Sequence, residues 1–142
     1  MEISDAGVSD PSSLTGRFRR GDVLNPKCPS RVVLNHATSK WGVLVLIALQ
    51  SGTLRFSALR RVVGGVSERM LAQTLQQLEA VRLVHRQSYP QVPPRVEYRL
   101  TPPGLEMAGR VAALADWIEA HMDELTDAPS DALSDAPSLR DL

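Results

Sequence analysis

The chain has 142 residues, 43% of them apolar, with 16 basic and 16 acidic side chains. That is enough for one domain with a core and short appendages, but no apolar run nears the roughly 20 residues of a membrane span. The lone cysteine, Cys28, excludes an intramolecular disulfide and fits a reducing cytoplasm, and three widely spaced histidines offer no metal-ligand set, so neither metal nor cofactor is expected.

The zero net charge hides a polarised chain. Residues 17–110 carry 15 of the 16 bases against five acids, while residues 1–16 and 111–142 are acidic. A middle this basic points to a polyanionic partner. Residues 1–27, polar and without an apolar period, read as an extension that is flexible or associated with a dimer partner, and their acidic start is not a signal peptide. Residues 126–142 repeat "SDA" and "DAP" with almost no core material and read as an acidic flexible tail. The folded unit is expected over residues 28–125.

Within it the elements follow in order. Pro29 suits the first position of a helix carrying Val32, Val33 and Leu34. Ser39 can cap a second helix that includes Trp41 and is apolar all round up to Leu49, hence central and buried. In "RFSALRRVVGG", Ser57 can cap a short helix with Phe56, Leu59 and Val62 or Val63 inward, stopped by Gly64 and Gly65. Ser67 can cap the next helix, whose Met70, Leu71, Thr74, Leu75 and Leu78 share one face, with Glu68, Arg69, Ala72, Gln73, Gln76, Gln77 and Glu79 on the other. Residues 83–88 and 96–100 read as hairpin arms, joined by "YPQVPPRVEY" at 89–98 rather than by the Asn-Gly or Asp-Gly of a tight turn. Thr101 and Pro102 then open a long helical stretch to about Leu125, with Leu105, Ala108, Val111, Ala112, Ala115, Ile118 and Met122 along one side.

Two short helices around a glycine turn, followed by a hairpin, is the layout of a winged helix-turn-helix. The expected fold is mainly α (α+β), with a two-stranded wing and C-terminal helices whose apolar face wants a partner or folds back on its own domain. In that layout the helix after Ser67 enters the major groove of double-stranded DNA. Arg69 can pair with guanine or phosphate, Gln73 with adenine, Ser67 with a phosphate oxygen, and Gln76 or Gln77 with the backbone a turn further on. Lys40, Arg55, Arg60 and Arg61 are candidate phosphate contacts from the preceding helices, and Arg86 from the first arm. Arg95 is placed to reach phosphate or a narrow minor groove from a proline-stiffened tip; its alternative is a brace paired with Glu97.

The segments "CPSRVVLNHATSKWGVLVLIAL", "RFSALRRVVGGVSERMLAQTLQQLEAVRLVHR" and "YPQVPPRVEYRLTPPG" resemble the HxlR family of winged-helix transcriptional regulators. The resemblance covers Cys28 to about Leu125. It implies a prokaryotic, cytoplasmic DNA-binding homodimer, joined through its N-terminal and C-terminal helices, that activates or represses transcription, with room for a small-molecule or oxidant effector. Some members sense electrophiles or oxidants through the cysteine of a "C-P" motif, matched here by Cys28; Lys27, Arg31 and the helix start could each lower its pKa. The alternative for Cys28 is a helix-start residue with no sensing role.

Two other classes stand beside this reading. A winged helix used only for protein interaction would not need Arg69, Arg86, Arg95 and Arg99 on exposed elements. A thiol hydrolase pairing Cys28 with His36 lacks an orienting group and an oxyanion motif, so no enzyme is expected.

Overall fold

The computed structural model describes residues 22–126; the expected N-terminal extension up to residue 21 and the acidic tail from residue 127 lie outside them. The chain divides into two compact units between His36 and Ala37. In the first, residues 22–28 form consecutive turns, with Asn25 N–H donating to the Asp22 carbonyl at 2.8 Å and Cys28 N–H to that of Asn25 at 3.0 Å. They lead into α1 (Pro29–Thr38), whose proline stands at the start as expected.

The second unit holds α2 (Lys40–Ala48) with a 3-10 turn at Leu49–Ser51, β1 (Leu54–Arg55), α3 (Phe56–Val62), α4 (Glu68–Ala80), β2 (Val84–Tyr89), β3 (Arg95–Leu100), α5 (Pro102–Ala120) and α6 (Met122–Leu125). Its sheet is antiparallel with order β1-β3-β2. β1 has only two residues, too few for any alternating pattern, so the sequence showed the hairpin and not its third strand.

Three of the expected caps form. The side-chain oxygens of Ser39, Ser67 and Thr101 accept from the N–H groups of Gly42, Met70 and Gly104 at 3.0, 3.1 and 3.0 Å. Ser57 does not cap α3: Arg55 takes that position without a side-chain bond. The helix therefore begins at Phe56, two residues earlier than a Ser57 cap would start it; Val63 is buried and Val62 exposed.

One cluster of Val45, Leu46, Leu49, Leu59, Val63, Val66, Leu71, Leu75, Leu78, Leu83, Val84, Leu100, Ala108 and Val111 forms the core. α2 is less enclosed than its composition suggests, since Leu44 is exposed and Trp41, Val43 and Ile47 are half-buried. Met70, expected in the core, is 39% exposed: it lies about 100° from Leu71 around the helix, on the rim of the buried stripe. The C-terminal helix breaks at His121, which stacks on Trp117 with ring centroids 4.1 Å apart. Only Gly104, Ala108 and Val111 of α5 are buried.

The hairpin's root is tied to α5 through Thr101. Its hydroxyl donates to the Arg82 carbonyl at 2.7 Å, and its N–H to the Leu83 carbonyl at 3.1 Å. Arg82 itself has a positive φ of 64°, a conformation that costs a non-glycine residue about 1–2 kcal/mol. Gly104 lies so close to this root that a Cβ there would collide with the Leu83 carbonyl.

Candidate nucleic-acid interface

α3, the turn at residues 63–67 and α4 follow one another, and Leu59, Val63, Val66 and Leu71 from these three segments are buried in the common core. Gly65, at φ +86°, permits the reversal. Burial of Leu71, Thr74, Leu75 and Leu78 fixes the rotation of α4. The opposite side is then Arg69, Gln73 and Gln76, all exposed, whereas Gln77 is half-buried. These are side chains whose donors match the acceptors of guanine, adenine and phosphate. Ser67 spends a lone pair on Met70 N–H but keeps its O–H to donate.

Two concavities flank this stripe. One, of about 390 Å³, is lined by Phe56, Ser57, Arg60, Arg61 and Glu68. Here Arg60 Nη1 lies 3.6 Å from Glu68 Oε1, and Arg60 Nε donates to the Val66 carbonyl at 3.5 Å. The other, of about 420 Å³, lies between α4 and the sheet and is lined by Ala72, Leu75, Gln76, Glu79, Arg86 and Tyr98.

Strand register separates the two wing arginines. Arg86 pairs with Tyr98 and Tyr89 with Arg95; since successive side chains alternate, Arg86 faces α4 and Arg95 the other side, together with Glu97 and Arg99. Arg95 is folded onto the hairpin. Its guanidinium carbon lies 4.0 Å from the Tyr89 ring centroid and its Nε 3.6 Å from Glu97 Oε2, and that Nε is buried without a hydrogen-bond partner. This is the bracing arrangement rather than the projecting one, so Arg86 and Arg95 do not share a surface. The tip itself projects, Val92 being 99% exposed. Of the remaining expected contacts, Arg55 and Arg61 are exposed, and Lys40 lies over the Trp41 ring at 4.4 Å. Glu68, placed by its spacing on the outer side of α4 but not counted among the contacts, lines the concavity beside α3, as does Ser57, which the sequence offered only as a cap.

In the first unit, the Cys28 thiol lies 2.9 Å from Ser30 Oγ and accepts from Asp22 N–H at 3.2 Å. Hydrogen bonding from the Ser30 side chain, then from the Ser30 backbone, holds its pKa below the ordinary thiol value. Neither neighbouring cation is the cause: the Arg31 guanidinium is committed to the Val23 and Leu24 carbonyls, each at 2.8 Å. Among the described residues, no cluster of His, Cys, Asp or Glu is arranged to hold a metal ion, and no single helix is long and apolar enough to cross a membrane.

A helix pair with a polar outward stripe, flanked by a β-hairpin with a projecting tip, defines a DNA-binding winged helix-turn-helix protein. Residues 37–126 match the HxlR-like helix-turn-helix family. The chain is 56% identical over 113 residues to the HTH-type transcriptional regulator YtfH of Escherichia coli, covering 80% of this chain and 90% of that one. Among solved structures, it resembles the transcriptional regulator ytfH of Salmonella typhimurium with TM-score 0.72 and 57% identity, over 75% of this chain and 96% of that one. It also resembles the redox regulator HypR in its reduced form, with TM-score 0.65 and 35% identity, over 70% of this chain and 99% of that one. The chain belongs to the HxlR-like family of transcriptional regulators.

Proposed function

We propose that the protein acts in the cytoplasm as a homodimer that binds a two-fold-related operator, with α4 of each protomer in a major groove. The observation that carries this is the outward stripe of Arg69, Gln73 and Gln76 on a helix whose other side is locked into the core. Arg69 and Gln73 read base edges, Gln76 and Arg86 grip backbone on the sheet side, and Arg55, Arg60 and Arg61 grip it on the α3 side. Arg95 serves the interface indirectly, by stiffening the wing. The dimer is supported by Leu114, Trp117, Ile118, Met122 and Leu125, exposed along α5 and α6, and by Val32 on α1. So large an apolar set on helices suits a second copy of the chain.

The experiment is a nuclease footprint of the full chain on the DNA upstream of its own gene. Two protected half-sites, one helical turn or a multiple apart, are expected, and protection without two-fold symmetry would refute the dimeric reading. Arg69→Ala should remove the footprint at concentrations where the wild type protects.

A second layer of the proposal is that Cys28 senses electrophiles. Its support is the hydrogen-bonded, pKa-lowered thiol at a half-exposed position and the similarity to a protein described as a redox regulator. The thiolate would add to a ring carbon of a quinone, forming a C–S bond as the C=C π bond breaks and its electron pair passes to the carbonyl oxygen, which takes a proton from water. Cys28→Ser should bind DNA normally and become indifferent to quinone; a variant that still responds would exclude this role.

A further inference from the structure

Glu68 is out of place on a surface built to meet a polyanion. It is the first residue of α4 and its side chain is 74% exposed; Arg69 follows it in sequence, and Arg60 and Arg61 line the concavity beside α3 with it. A carboxylate there favours the helix start through the dipole, but in the first turn it also stands inside the expected DNA footprint. It also repels every phosphate it approaches, which weakens binding to DNA at large.

We infer that Glu68 is a specificity-determining residue that selects an exocyclic amino group, that of cytosine, at one position of each half-site; this rests on the DNA-binding reading above. The first turn of a recognition helix is the part that meets base edges. In the major groove guanine and thymine present acceptors at their O6, N7 and O4 atoms, which a carboxylate cannot bond, and adenine sets its N6 amino donor beside the N7 acceptor, which repels one, whereas the cytosine N4 amino group donates to it with no acceptor on the same base edge. The pairing with Arg60 is one-sided: Nη1 lies 3.6 Å from Oε1, and among the described residues Glu68 makes no second ion pair. Arg60 is itself held to the turn by the Val66 carbonyl, so its charge draws the carboxylate toward α3 while the side chain stays 74% exposed and open to a base. The repulsion toward phosphate and the bond to cytosine then act together. Non-cognate DNA meets only the first, cognate DNA gains the second.

The test is selection of the full chain on a randomised duplex library at physiological salt, followed by binding titrations of the selected and base-substituted duplexes. Wild type, Glu68→Gln and Glu68→Ala are compared. The wild type should prefer cytosine at one position per half-site by about 5- to 100-fold over other bases. Glu68→Gln, which keeps the side chain's length and supplies an amide that can pair with adenine, should shift that position toward adenine and leave the others unchanged. Glu68→Ala should level it, and both variants should bind unselected DNA more tightly than the wild type. The inference is overturned if either variant selects the same base with the same discrimination, or if Glu68→Ala loses affinity for all duplexes alike, which would mark Glu68 as an anchor for Arg60. A wild type that enriches no sequence at all overturns the DNA-binding reading instead.

Discussion

Gly104 and Gly109 lie on the same helix, and the same substitution at each should have opposite effects. In a helix interior alanine is favoured over glycine by about 1 kcal/mol, so propensity alone makes both replacements stabilising. At Gly109 a Cβ would meet nothing within 4 Å, and Gly109→Ala should raise stability by about 0.5–1 kcal/mol. At Gly104 the Cβ would drive into the Leu83 carbonyl, a backbone atom that already accepts the Thr101 N–H and cannot rotate away. Relief requires α5 to separate from the hairpin root, straining the Thr101 bond to Arg82 as well. Overpacking of this kind costs about 1–3 kcal/mol, outweighing the propensity gain, so Gly104→Ala should be destabilising on balance. Urea unfolding followed by circular dichroism measures both. Expected is a lower midpoint for Gly104→Ala and a higher one for Gly109→Ala with unchanged slopes. A Gly104→Ala protein as stable as Gly109→Ala would refute the close approach of α5 to Leu83.

The wing arginines separate by salt dependence. Arg86→Ala should flatten the plot of log affinity against log salt by about 1.8, the loss of one phosphate contact from each protomer of the dimer, whereas Arg95→Ala should leave the slope alone and lower stability by about 0.5–1 kcal/mol, the scale of its stacking on Tyr89; equal slope changes would place both on the backbone. Ser30→Ala removes the largest cause of the lowered Cys28 pKa, so the pH profile of iodoacetamide alkylation should move to higher pH and the rate at neutral pH should fall. An unmoved profile would mean that Ser30 does not stabilise the thiolate. Trp117, 51% exposed on α5, should anchor the dimer: Trp117→Ser is expected to weaken self-association by about 30-fold in sedimentation equilibrium, the effect of an interfacial hot spot, and no change would move the interface elsewhere.

How much of this was legible in the sequence depended on how local the physics is. Caps at Ser39, Ser67 and Thr101 followed from residue type and the apolar pattern after them, because a cap bonds within three residues. The stripe Arg69, Gln73 and Gln76 followed from helical periodicity. Ser57 misled because a capping residue type stood one position inside a helix started instead by the strand before it. Met70 misled because a rim position is apolar on either reading. The separation of Arg86 from Arg95 needed the register across a turn of residues 90–94, and the hydrogen bonding of the Arg31 guanidinium to the Val23 and Leu24 carbonyls needed the fold of the turns before α1. Neither is encoded in spacing along the chain.

The most direct test of DNA binding through a basic winged helix is the affinity of the full chain for its selected duplex, measured from about 50 to 200 mM salt. With several arginines of each protomer on phosphates, log affinity should fall linearly against log salt with a slope steeper than about −3, since each neutralised phosphate contributes about −0.9. A slope near zero, with affinity indifferent to salt, would contradict the assignment of Arg55, Arg60, Arg61 and Arg86 to the DNA backbone and with it the proposed mode of binding.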